Sequence, residues 1–352
     1  MGAPLRQTGL CHAALRDGQR RHRHPDRRNG GCGRESLACA ALDPMNLQPQ
    51  WSHRTTIICT YFGSWPQWIA AFFHSCNSNT DFDWLIVTDC TLPALHSQNI
   101  TFKSMSLASF NQLVGERLGF AVNKGAYAQL DFRPAYGVIF AAELEGYDFW
   151  GHCDLDVIFG DLARHLSPDK LSSFDIISSR KGQLAGHLTV WRNDENTNRL
   201  FTAVPAYREL LSVPGHVNFD EKIMSAFLRD LQHRTGSGHC PRVFWAARVV
   251  VGWPELERNC RKTWRWIEGK IYDSTGREQV YLHFRTWQRT MRCTELNIAD
   301  KPREFRISRR GIWISNRPWR DHLLTLLPLD LYWRLPQAFL RKLRKRLARL
   351  IN

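Results

Sequence analysis

Between Thr55 and Cys153 the chain alternates short, continuously apolar runs with segments of helical apolar spacing, and that alternation leaves few folds open. "TTIICTYFG" is β-branched and ends in an aromatic residue and a glycine. "DWLIVTDC" ends on Asp89, and "ITFKSMS" is a third run. Runs without a polar side suit strands covered on both faces. "PQWIAAFFHSC", opened by Pro66, "LASFNQLVGERLG", closed by Gly119, and "FRPAYGVIFAAELEG", closed by Gly146, read as helices. The alternation predicts an α/β fold: a mixed, mainly parallel sheet flanked by helices. Such sheets bind ligands beyond the carboxyl ends of their strands, so Asp89 and the residues after Cys153 should share one crevice. Later strands are expected at "FDIISS" (174–179), "HLTVWRN" (187–193) and "QVYLHF" (279–284), with a helix at "FDEKIMSAFLRDL" (219–231). Residues 232–275 are Trp-rich and give no clear period.

The two ends have a different texture. Residues 1–44 contain "GQRRHRHPDRRNGGCGRES" and no apolar period, so they cannot bury enough surface to offset ordering. They read as a disordered basic extension, or as sequence upstream of a start at Met45. The main domain is expected over 55–300 and a C-terminal extension over 301–352. Within the latter, 336–352 is a basic amphipathic helix: Phe339, Leu343, Leu347 and Leu350 fall on one face, and Arg341, Lys342, Lys345 and Arg349 mostly on the other. The net charge of +15 favours anionic partners, and this helix suits an anionic membrane surface. No run of about 20 apolar residues is present to span a membrane. The ten cysteines show no Cys-x-x-Cys spacing and read as reduced thiols rather than a zinc site or a disulfide frame. The expected location is cytoplasmic, either free, with 336–352 a partner-binding or solvated helix, or peripheral on the inner face of the cytoplasmic membrane.

The chemistry concentrates in "YDFWGHCDLDVIFGDL", residues 147–162. Asp154 and Asp156 follow an aromatic strand and precede an apolar one. Residues i and i+2 of an extended segment point the same way, so the two carboxylates can converge on one hard cation. Such a cation bridges the phosphates of a nucleotide and stabilises a leaving diphosphate. Two acids buried there without a cation or hydrogen-bond donors would be costly. Asp161 suits the N-cap of a following helix.

"YFGSWPQW", "DWLIVTDC", "DFRPAYGVIF", "YDFWGHCDLDVIFGDL", "GHLTVWRN" and "FDE" together resemble a bacterial family of glycosyltransferase-like proteins. That family is catalogued as a domain of unknown function and linked to surface-polysaccharide genes. The resemblance covers roughly residues 55–290. It implies a GT-A fold, an Asp-x-Asp metal site holding Mn²⁺ or Mg²⁺, and a nucleotide-sugar donor, a UDP-sugar foremost. The acceptor it implies is a glycan or a lipid-linked glycan of capsule, exopolysaccharide or lipopolysaccharide. The order of motifs is similar to the retaining, glycogenin-like galactosyltransferases. That likeness nominates His283 as a third metal ligand beside Asp154 and Asp156, and Asp220 or Glu221 as the carboxylate near the anomeric carbon. The Gly-x-x-Lys-Pro-Trp expected after the histidine is absent. "RTWQRTMR" stands there instead, so Arg285 or Arg289 takes the diphosphate contact.

Other positions keep two readings. Tyr61, Phe62 and Gly63 are a floor for the nucleotide base or an ordinary strand-to-helix turn. Asp89 meets a ribose hydroxyl or base edge, or caps a helix. Lys124, Asp131 and Arg133 lie beside a diphosphate or form surface salt bridges. His187 and the loop from Asn218 to Glu221 line the acceptor side, or His187 is a satisfied strand histidine. Two rival functions remain. A haloacid-dehalogenase-type phosphatase would use Asp154 as nucleophile and Asp156 as acid/base, but its motif normally ends the first strand of its domain. A non-enzymatic protein binding nucleic acid or membranes would account for the basic ends, but gives no reason to gather acids at a strand end. No specific nucleic-acid partner is expected.

Overall fold

A computed structural model describes residues 53–233, 240–245, 263–291 and 293–314. The basic segment 1–44 and the amphipathic segment 336–352 lie outside these residues. Among the described residues no helix is long and apolar enough to cross a membrane.

The expected α/β architecture is present. Strands β1 (Thr55–Tyr61), β2 (Asp83–Thr88), β3 (Ile100–Ser104) and β4 (Phe149–Cys153) are followed by β5 (Val157–Phe159), β6 (Ile176–Ser178), β7 (Leu188–Arg192) and β8 (Val243–Trp245). Seven of them form one sheet in the order β3-β2-β1-β4-β7-β6-β8, and only β7 runs against its neighbours. The core strands β1 and β4 are buried on both faces, as their unbroken apolar runs require. Helix α2 (Leu107–Leu118) starts where the Ser106 side chain accepts from the Ser109 amide and stops at Gly119, whose φ of 74° suits glycine.

From residue 263 onward the described part of the Trp-rich stretch opens a second sheet. Strands β9 (Trp264–Ile267), β10 (Lys270–Tyr272) and β11 (Glu278–Gln279) precede β12 (Tyr281–His283). Then come β13 (Cys293–Thr294), β14 (Glu304–Ser308) and β15 (Gly311–Trp313). The order is β11-β10-β9-β14-β15-β13, while β12 pairs instead with β5. Sheet structure therefore runs past residue 300 to Trp313. Helix α1 (Ile69–Asn77) lies between the two sheets. Ile69, Phe72, Phe73 and Cys76 join one core, and Ala70 and Ala71 join the cluster of Trp264, Trp266 and Phe305. Eight consecutive residues of α1 are buried, as expected of a helix with no polar face.

Two local expectations are corrected. "FRPAYGVIFAAELEG" is not one helix. A 3-10 segment, Ala128–Ala135, contains Pro134 and gives way to a single α-turn, Tyr136–Ile139. Proline removes an amide donor and crowds the preceding turn. Asp161 caps a turn through the Arg164 amide at 3.2 Å, and the next helix begins only at Pro168.

The short strands β6, β7 and β8 are tied by one carboxylate. Asp175 accepts from the Arg242 amide at 2.9 Å, from Arg242 Nη2 at 2.8 Å and from Arg192 Nε at 3.0 Å. Burial opposes its ionisation, but the two guanidinium groups win and hold its pKa at about 2. Asp175→Asn should cost about 1–2 kcal/mol in urea unfolding at pH 7, a discounted value because both arginines are partly exposed. A carboxyl depressed below its unfolded value of about 3.9 stabilises above that pH, and the gain is lost as pH falls toward 2. The gap between variant and wild type should therefore close between about pH 4 and pH 2; a gap constant over that range would assign the cost to packing.

Candidate active site

The acidic box owes its shape to the strands on either side of it. β4 ends at Cys153, and β5 resumes at Val157, leaving Asp154-Leu155-Asp156 as a crossing between two sheets. Leu155 is buried, and its carbonyl accepts from Trp68 Nε1 at 3.0 Å. β5 pairs antiparallel with β12 so that His283 lies opposite Val157, and the Phe284 amide donates to the Asp156 carbonyl at 3.0 Å. That register carries His283 across 127 positions of sequence to the two aspartates. Its Nε2 lies 3.4 Å from Asp156 Oδ1 and 3.8 Å from Asp154 Oδ2. One ligand atom from each of the three residues falls within 4.8 Å of the others. His283 Nε2 is buried and makes no hydrogen bond. An orphaned imidazole nitrogen facing two carboxylates is a donor set that suits Mn²⁺, while the aspartates alone would equally suit Mg²⁺. The residues present therefore fit a divalent cation. Burial disfavours the charged imidazole, but Asp156 and Asp154 raise its pKa above the ordinary value.

Arg133 organises the floor. It is 4% exposed and pairs with Asp154, with Asp220 Oδ2 at 3.3 Å and with the Cys153 carbonyl at 3.3 Å. Burial pushes against ionisation of Asp154, yet Arg133 and His283 hold its carboxyl below the usual range. Asp220 behaves oppositely. Burial lifts it to about 7, with Arg133 opposing and Glu221 and Asp131 reinforcing the rise. Asp220 and Glu221 belong to a π-type turn, Phe219–Ile223, that Asn218 opens at φ 58°. Wide turns of this kind often sit at functional sites.

Gly186 closes this floor from the β7 side. Its amide donates to Glu221 Oε1 at 3.0 Å, and an added Cβ would lie 2.5 Å from Arg133 Nη1 and 3.1 Å from Glu221 Oε1. Gly186→Ala should therefore push Arg133 Nη1 off Asp220, with an overpacking cost of about 1–3 kcal/mol. Thermal melts and nucleotide titration should both register it; an unchanged pair of values would mean that Arg133 moves aside without consequence.

A cavity of ≈ 570 Å³ opens over this floor. Tyr61, Phe62, Arg133, Asp154, Asp156 and Asn218 line it, as do Asp220, Glu221, Arg285 and Arg289. Other predicted positions do not line it. Asp89 accepts from the Gly63 amide at 2.7 Å, so both shape the turn after β1. Lys124 is buried, and its ammonium donates to Asp131 and to the Val213 and Gly215 carbonyls. Asp131 also accepts from the Val217 and Phe219 amides and anchors that loop. Hence Lys124 and Asp131 are interior supports that do not line the cavity, and their pairing is not a surface salt bridge. His187 lies beneath His283, with ring centroids 4.4 Å apart, and its Nδ1 meets the Tyr281 hydroxyl at 2.8 Å. Burial and His283 lower its pKa well below the ordinary value.

The sequence reading missed several lining residues. Gln288 donates to Asp156, and its only signal is its place five positions after His283. Gln129 receives the Thr60 hydroxyl at 2.6 Å. Tyr127 and His216 have no sequence motif at all; a loop folded around Asp131 brings them to the cavity.

Fold and site define an α/β protein with a carboxylate–histidine cluster at the end of a central strand. The chain belongs to the family of unknown function DUF6625, whose profile matches residues 57–315. No curated protein shows significant similarity to it. Among solved structures, the galactosyltransferase LgtC in complex with donor and acceptor sugar analogs is similar at 12% identity. The match covers 49% of this chain and 69% of that one, with a TM-score of 0.30. The apo-form glycosyltransferase GlyE of Streptococcus pneumoniae TIGR4 is similar at 10% identity, over 80% of this chain and 62% of that one, with a TM-score of 0.36. TarS 1–349 of S. aureus matches at 10% identity over 54% and 57%, with a TM-score of 0.31. Scores this low leave the function of the chain to its own geometry.

Proposed function

We propose that this protein is a GT-A-type, metal-dependent glycosyltransferase that uses a nucleotide-sugar donor, a UDP-sugar foremost. The observation that carries the reading is the Asp154–Asp156–His283 cluster, assembled by the β5–β12 register, whose two aspartates line a ligand-sized cavity. A divalent cation held there would neutralise the diphosphate as the donor's glycosidic bond breaks. Tyr61 and Phe62 offer the nucleoside an aromatic wall. Arg285 and Arg289 offer guanidinium donors to the diphosphate. Asp220 or Glu221 faces the anomeric carbon. Arg133 keeps Asp154 ionised and aimed at the cation site. The same pairing disfavours the phosphatase alternative, because a nucleophilic Asp154 would have to leave its guanidinium partner.

The acceptor we propose is a glycan or lipid-linked glycan of bacterial surface polysaccharide, reached from the cytoplasmic face with residues 336–352 on the membrane. The test is isothermal titration of the purified chain with UDP-, GDP- and CMP-sugars, each with and without Mn²⁺. Metal-dependent binding of one nucleotide class is the expected result. A folded protein that binds none of them would overturn the reading.

A further inference from the structure

The cavity has a second wall that the donor reading leaves unused. Tyr127 is 58% exposed, the one aromatic residue among the large exposed hydrophobic side chains of the described residues. The ring of His216 stands edge-on to it, 4.9 Å between centroids at 70°. Arg285 Nη2 reaches the Tyr127 hydroxyl at 3.4 Å. Both rings line the same cavity as Asp154 and Asp156. His216 is not on a mobile tip. Its Nδ1 lies 2.9 Å from Asp131 Oδ1, and that carboxylate is fully buried. Asp131 is in turn held by Lys124 Nζ at 2.9 Å and by the Val217 and Phe219 amides at 3.0 and 2.9 Å. The edge contact with Tyr127 and the nearby Asp131 carboxylate place the His216 ring on the cavity wall. His216, Asp131 and Asp220 each bring one polar atom within 4.8 Å of the others, so His216 stands next to the carboxylate that Arg133 links to Asp154.

A cation is a poor occupant of this second cluster. Two fixed cations already neutralise it: Lys124 pairs with Asp131, and Arg133 with Asp220 Oδ2. The chemistry on offer is an exposed aromatic face with an imidazole standing edge-on beside it. An apolar C–H face of a pyranose stacks on such a ring, as other amphipathic ligands do, and its ring hydroxyls need a hydrogen-bonding neighbour.

Building on the transferase reading, we infer that Tyr127 and His216 form the acceptor subsite, a platform for a terminal pyranose whose hydroxyl hydrogen-bonds His216. Asp131 and Lys124 are its positioning residues. They act through the 213–219 loop and touch no ligand.

The test keeps donor and acceptor apart. Saturation-transfer NMR would be run on the full chain with UDP and Mn²⁺ present, against methyl glycosides of galactose, glucose, mannose, N-acetylglucosamine and rhamnose. UDP·Mn²⁺ affinity would be titrated in parallel. At least one glycoside should bind wild type, with saturation strongest on the protons of one ring face. Tyr127→Ala should weaken it by about tenfold, the loss of one aromatic contact, and Tyr127→Phe should restore it. His216→Gln should weaken it several-fold. UDP·Mn²⁺ affinity should change less than about twofold in His216→Gln, and by the same factor in Tyr127→Ala and Tyr127→Phe, which both remove the hydroxyl that Arg285 Nη2 meets. Equal glycoside binding by wild type and Tyr127→Ala would overturn the subsite, as would no glycoside binding to a wild-type protein that takes up UDP·Mn²⁺. Tyr127-dependent glycoside binding without any nucleotide binding would uphold the subsite and overturn the transferase reading instead.

Discussion

The Asp154→Ala/Asp156→Ala variant is expected to lose Mn²⁺-dependent nucleotide affinity by on the order of a hundredfold or more, since two of three cation ligands disappear together. The protein should stay folded, because Arg133 keeps Asp220 and the Cys153 carbonyl as partners, while Trp68 and the β5–β12 register still hold the crossing. Circular dichroism and a melting curve establish that point before titration. His283→Gln should lose less, about tenfold, because both hard oxygen ligands remain. EDTA should bring wild type down to the level of the double variant and leave the double variant unchanged. Nucleotide binding that survives both the double variant and EDTA would place the nucleotide on Arg285 and Arg289 alone and remove the cation from the reaction.

The sequence makes the strands around the site legible because each is buried on both faces. "TTIICTY" and "DWLIVT" need no partner to be recognised, and Gly119 marks the end of α2 by itself. The acids at the end of β4 follow from the same logic. His283 is different. Nothing local marks it as a ligand, and only the order of motifs in a resembling family nominated it; the β5–β12 register brings it in. The second sheet hides because its strands are two to five residues long, too short to show a period of two. Lys124 and Asp131 mislead because charged residues in a polar stretch normally face water. Here they are sealed against each other and against backbone groups 86 to 91 positions away in sequence, a pairing that only the fold reveals.

Arg133→Met is expected to destabilise the metal-free protein by about 3–5 kcal/mol near pH 8, because it strips a buried cation from carboxylates that stay behind. In melting temperature this is about 5–8 °C for a chain of this size. The cost should depend on pH with a definite sign. Asp220 titrates near 7 in the folded state with Arg133 present, above its unfolded value of about 3.9. A carboxyl raised on folding binds more protons folded than unfolded, so it favours folding at low pH, and that advantage is lost as pH rises from about 4 to about 7. Removing Arg133 removes the charge that opposes this rise, so Asp220 stays protonated to higher pH, and the variant should suffer least in weak acid. Asp220→Asn in the same chain imitates the protonated form. The double variant Arg133→Met/Asp220→Asn should therefore recover part of the lost stability at pH 8 and almost none at pH 5. Additive losses at both pH values would show that Arg133 acts through packing alone, and that Asp154 and Asp220 do not share it as a counter-charge.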